Sequence, residues 1–72
     1  MVKCHLSRLM GEKKLRIADL ARETGINRNT ITRLYHETAT RVDLEVIGVL
    51  CGYFECDVGD LFEYTPPSDA NS

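Results

Sequence analysis

No lysine or arginine occurs after Arg41 in this chain of 72 residues. Residues 42 to 72 carry seven acids (Asp43, Glu45, Glu55, Asp57, Asp60, Glu63 and Asp69) and no basic side chain, a formal −7. That half has nothing to offer a polyanion. Long apolar runs are absent too. The longest uncharged one, Val46 to Phe54, has nine residues, against the roughly 20 that a membrane helix requires. The N-terminal MVKCHLSRLM has neither the apolar stretch nor the small-residue cleavage site of a secretory signal. A cytoplasmic protein with no membrane partner is therefore expected. No segment alternates apolar and polar residues over a strand's length, which predicts an all-α chain.

Reactive patterns are equally scarce. Cys4, Cys51 and Cys56 are odd in number and lack C-x-x-C spacing, so they are expected to be reduced, half-buried thiols. A zinc site from Cys4, His5, Cys51 and Cys56 would need spacings that fit no compact zinc motif. Ser7, His5 and His36 form no nucleophile–base–orienter pattern, and no glycine-rich loop could cradle a phosphate. Neither an enzyme, nor a cofactor or metal, nor a small-molecule substrate is expected.

What the chain does have is concentrated in residues 17 to 36, IADLARETGINRNTITRLYH. Ile17, Leu20 and Ala21 recur at helical spacing and share one face. Gly25 supplies the left-handed residue that ends a helix in a sharp turn, and Asn27 suits the cap of the next helix. Ile31 and Leu34 face inward from that second helix, while Arg28, Asn29, Thr32 and Arg33 point elsewhere. Two helices joined so tightly, the second presenting Arg and Asn outward, form a helix-turn-helix suited to the major groove.

Charge agrees with that geometry. All nine basic residues lie between Lys3 and Arg41, where only Glu12, Asp19, Glu23 and Glu37 oppose them, a formal +5. The overall −2 hides a dipole whose basic half could sit on phosphates while the acidic half faces away.

The segment resembles the helix-turn-helix of phage repressor and Cro proteins. It shares their Leu-Ala pair at Leu20-Ala21, the glycine at Gly25, and the Ile and Leu at Ile31 and Leu34. The flanks LSRLMGEKK and DLEVIGVLCGYFECDVGDLFEY extend the resemblance over about residues 3 to 65. It implies a compact five-helix, lambda-repressor-like DNA-binding domain over residues 1–65, with a disordered tail over 66–72. The helices are expected at about Lys3 to Lys14, Ile17 to Thr24, Arg28 to His36 and Leu44 to Glu55, followed by a short one carrying Val58, Leu61 and Phe62. Two positions depart from the family pattern. Arg16-Ile17 replaces its capping Ser or Thr and following Gln, and Glu37 stands where a glycine commonly follows the recognition helix.

The implied activity is sequence-specific binding of double-stranded DNA and transcriptional regulation, repression above all. Arg28, Asn29, Thr32 and Arg33 have the chemistry for base readout: Arg pairs with guanine, Asn with adenine, and a Thr methyl meets a thymine methyl. The family's base-contacting positions fall on Arg28, Asn29 and Arg33, with Asn27 and Thr30 nearer the backbone. Arg16, Thr38, Thr40, Arg41, Lys13 and Lys14 are the other expected phosphate contacts, which set affinity and salt dependence.

The fourth helix is apolar around most of its circumference. Leu44, Ile47, Leu50, Cys51 and Phe54 form one stripe, expected to face the core. Val46, Val49 and Tyr53 form a second, which with Val58, Phe62 and Tyr64 is the expected homodimer interface. The competing reading keeps the fold but uses this apolar C-terminal face to bind another protein, as an antitoxin or antirepressor does.

Overall fold

The computed structural model describes residues 1–66 in the order β1 (Val2–Cys4), α1 (Leu6–Glu12), α2 (Ile17–Thr24), α3 (Arg28–Tyr35), α4 (Leu44–Phe54), α5 (Val58–Leu61) and β2 (Phe62–Tyr64). Apart from Pro66, the expected tail lies outside the described residues.

Local chemistry explains the central pair of helices. Gly25 closes α2 at φ 75°, its N–H donating to the Ala21 carbonyl at 2.9 Å. A residue with a Cβ would be strained at that angle. Thr24 braces the turn from within: its hydroxyl donates to the Leu20 carbonyl at 2.6 Å and accepts the Ile26 N–H at 3.2 Å. Asn27 Oδ1 accepts the Asn29 N–H at 2.8 Å and so caps α3 as expected. At α2, Asp19 Oδ2 reaches back to the Arg16 N–H at 3.1 Å. Asp60 does the same for Asp57 at the start of α5, at 3.0 Å. Each carboxylate thus satisfies an orphan donor at a helix start.

Leu6, Met10, Leu20, Ile31, Leu50 and Leu61 are the fully buried side chains of the core. Every helix contributes at least one, so no helix can leave without opening it. Removing a side chain of this kind costs about 2–5 kcal/mol.

The architecture corrects the all-α expectation. Residues Val2–Cys4, expected near the start of the first helix, form a strand antiparallel to Phe62–Tyr64, with Val2 opposite Tyr64, Lys3 opposite Glu63 and Cys4 opposite Phe62. Phe62 therefore belongs to β2 rather than the last helix. Main-chain bonds continue the pairing at both ends: Thr65 N–H to the Met1 carbonyl (2.7 Å) and His5 N–H to the Leu61 carbonyl (2.8 Å). Three-residue strands are too short to show alternation, and their partners lie some 60 residues apart. Among the described residues the helices are five.

A second correction concerns Leu44, which is 84% exposed. By spacing Leu44 falls on the same stripe as the half-buried Ile47 and Cys51 and the buried Phe54. As the first residue of α4, however, it lies at the helix end, where the cover of the rest of the stripe does not reach it. Asp43 occupies the position before α4 but makes no side-chain cap bond. Glu37, at the glycine-favouring position, indeed adopts φ 59°.

Candidate nucleic-acid interface

Helical geometry sorts the α3 side chains into an outer row and two flanks. Ile31 and Leu34 are buried. Directly opposite them are Asn29 and Arg33, both exposed, with Thr32 beside them. The Thr32 hydroxyl donates to the Arg28 carbonyl at 2.9 Å. That bond uses its proton and leaves its methyl as the group to offer. Arg28 lies on the flank toward α2, and Thr30 on the flank toward α4.

The α2 flank is a notch of about 440 Å³ lined by Arg16, Arg28 and Tyr35 over an apolar floor that includes Ile17 and Met10. Arg16 and Arg28, twelve positions apart in sequence, thus flank one depression at the N-terminal end of α2. The first N–H groups of that helix have no partner within it and carry the positive end of its dipole. Ile17, standing where the resembled family has glutamine, contributes only surface to the notch. Lys13 and Lys14 lie exposed in the turn leading to it, Lys14 at φ 55°.

The opposite flank is a smaller groove of about 120 Å³ between α3 and α4, where Thr30 meets Arg41 and Val46. Thr38 and Thr40 are exposed in the loop that carries Arg41. Phosphate-directed candidates therefore stand on both sides of the outer row, as a helix seated between two strands of a duplex requires.

Electrostatics separates the arginines. Among the described residues, Arg8 pairs with Glu12 (3.2 Å) and Arg22 with Asp19 (3.1 Å). His5 Nε2 and Glu63 Oε1 are joined by a hydrogen bond at 2.7 Å. Arg16, Arg28, Arg33 and Arg41 take part in no ion pair among the described residues, so their charge is unspent. Asp19, in the first turn of α2, has its pKa held down by the Arg16 N–H first and the Arg22 guanidinium second. Glu37, in the turn after α3, accepts the Cys4 N–H on its Oε1 at 3.1 Å.

The expected dimer residues divide. Val49, Val58 and Tyr64 are exposed. Val46, Tyr53 and Phe62 are half-buried and packed against the core. The Tyr53 hydroxyl donates to Glu23 Oε1, tying α4 to α2, and that acceptor raises the phenol's pKa. Sequence reasoning missed Tyr35 and Leu44. Tyr35 lies one turn beyond Ile31 and Thr32, on the rim of the notch. Leu44 lies on the core-facing stripe of α4 by spacing, yet it is left exposed at the helix start.

Residues 5–67 match the family model of the Cro/C1-type HTH DNA-binding domain. No curated protein matches the chain. With the turn at Gly25, the outward row of α3 and a match over most of its length, the chain belongs to the Cro/C1-type helix-turn-helix DNA-binding domains, whose partner is double-stranded DNA.

Proposed function

We propose that the protein is a transcriptional repressor that binds a palindromic operator as a homodimer. In this reading α3 enters the major groove, with Asn29, Thr32 and Arg33 on base edges and Arg28 at the edge of the same row. Arg16, Asn27, Lys13, Lys14 and Tyr35 hold one phosphate strand, and Thr30, Thr38, Thr40 and Arg41 the other. The observation that carries this reading is the distribution of unspent charge. Arg33 on the outer row, Arg16 and Arg28 on one flank, and Arg41 on the other are free of ion pairs among the described residues. Resemblance to phage repressors supports repression over activation.

The dimer assignment draws on the outer side of α4. Val49 is exposed there beside Gly48 and Gly52, and Leu44 is exposed at the helix start; only Glu45 brings a charge to that helix. Exposed Val58 and Tyr64 extend the apolar surface. A two-fold pairing of this surface would set two α3 helices for half-sites about one helical turn of DNA apart.

Selection of bound duplexes from a random pool tests the reading. Enrichment of a palindrome with half-sites about 10 base pairs apart is the expected result. A pool that stays random under retention would refute sequence-specific binding. For repression, a reporter driven from a promoter containing the enriched site should fall when the protein is expressed; a rise would identify an activator.

A further inference from the structure

We propose that the cleft between the sheet and the loop after α3 binds a free α-amino acid with an apolar side chain. The cleft has a volume of about 310 Å³, at the lower end of the range for small-molecule sites. Val2 and Phe62 of the sheet, Leu34 of α3, and Val42 and Ile47 on the α4 side give it apolar walls. Two charged side chains of opposite sign, Glu37 and Arg41, line the same space.

These two charges decide the chemistry of the occupant. Glu37 and Arg41 form no ion pair with each other or with any other described residue. The Glu37 carboxylate is pinned: its Oε1 accepts the Cys4 N–H, and its backbone is fixed in the left-handed turn with the N–H on the Leu34 carbonyl at 3.2 Å. Its second oxygen remains for a donor. An apolar acid would place its carboxylate against Arg41 but crowd Glu37; an apolar amine would do the reverse. Both residues are exposed, but a ligand charge set beside a like-signed side chain is repelled and one set beside its opposite is held. A zwitterion answers both, with its ammonium on Glu37, its carboxylate on Arg41 and its side chain against the apolar walls.

The site has a consequence that rests on the proposed DNA contacts. Arg41 also borders the groove at Thr30, so a ligand carboxylate would withdraw that guanidinium from a phosphate and lower operator affinity. Binding itself is independent of that reading and is measured on DNA-free protein.

L-leucine and L-phenylalanine are titrated separately, beside 4-methylpentanoate (no amine) and isopentylamine (no carboxylate), with the amide resonances of Leu34, Val42, Ile47 and Phe62 followed by NMR. Saturable shifts at these four residues are expected, with an amino acid binding about tenfold or more tightly than either half-molecule, the effect of one charge-assisted hydrogen bond. Arg41→Gln, at an exposed position, and Glu37→Gln, which keeps an acceptor for the Cys4 N–H, should each weaken binding about tenfold by the same reasoning. The proposal fails if neither amino acid produces shifts at about 10 mM, beyond which any affinity is too weak to be specific. It fails equally if a half-molecule binds as well, or if both variants bind like the parent. None of these failures bears on DNA binding.

Discussion

The Glu37 carboxylate accepts the Cys4 backbone N–H at 3.1 Å, joining the loop after the recognition helix to a strand 33 residues earlier. The bond caps an outward-facing donor of β1 that would otherwise be free to pair with another strand. It also draws an acid away from the basic outer row of α3. The residue bears a cost for this role, because φ 59° disfavours any side chain.

Glu37 substitutions should therefore rank in a specific order. Glu37→Ala loses the bond and keeps the strain; Glu37→Gly loses the bond and relieves it. The glycine variant is expected to be more stable than the alanine variant by about 1 kcal/mol in urea denaturation. Equal midpoints would mean the left-handed geometry is not strained.

Readout and phosphate contacts should separate in binding assays. Arg33→Ala is expected to cost about 1–3 kcal/mol on the selected operator and to relax base preference there, with little change on random duplex. Arg41→Ala should weaken both alike and lower the salt slope by about 1. Equal losses on both duplexes for both variants would remove Arg33 from the readout row.

Thr32 has already committed its hydroxyl proton to the Arg28 carbonyl, so its methyl is the expected reader. Thr32→Val should keep operator affinity, while Thr32→Ser should lose about 0.8 kcal/mol, the value of one buried carbon. Replacing the facing thymine by uracil should weaken the parent protein but leave Thr32→Ser unaffected. A Thr32→Val loss larger than the Thr32→Ser loss would assign the contact to the hydroxyl.

The outer side of α4 can be separated from the core. Leu44→Glu should leave thermal stability of the monomer nearly unchanged, as surface substitutions stay within about 0.5 kcal/mol. It should shift the light-scattering mass from dimer to monomer. Leu50→Ala, by contrast, should cost about 2–5 kcal/mol. Retention of the dimer by Leu44→Glu would place the interface elsewhere.

Asp19 predicts how the fold responds to acid. Its folded pKa lies below the ordinary 3.8 because the Arg16 N–H and then Arg22 favour the carboxylate. Between the folded and unfolded values the unfolded chain binds more protons, so stability rises with pH there. The contribution is complete above about pH 3.8 and lost as pH falls through the lowered value. Asp19→Asn should flatten that part of the acid denaturation profile; an unchanged profile would show that the carboxylate's bonds are not held in the folded chain in solution.

The helix-turn-helix was legible because its signals are local. Gly25 needs only its own lack of a Cβ, and Asn27 reaches only two residues ahead; the α2 bounds and the α3 start follow. The strands were not legible. Val2, Lys3 and Cys4 find their partners at Phe62 to Tyr64, and three residues carry no period to read. Leu44 was misplaced because an apolar stripe shows which face turns inward but not how far along the helix the core extends; Ile47, Leu50, Cys51 and Phe54 of the same stripe are buried or half-buried. Tyr35 escaped notice because only the fold brings it to the notch beside Arg16 and Arg28. The bond from Glu37 to Cys4 depends on a backbone angle that residue type argues against.

The antiparallel pairing of β1 with β2 also orders events in time. Met1 and Thr65 are 64 positions apart, and closing so long a loop carries an entropic penalty that local contacts avoid. The turn at Gly25 and the α2–α3 pair can form while the chain is still being made, but β1 must wait until residue 62 and those after it have emerged. During synthesis the reading head takes shape before the clasp that secures it, and the β1 groups that bond to residues 61 to 65 stay exposed for the longest interval.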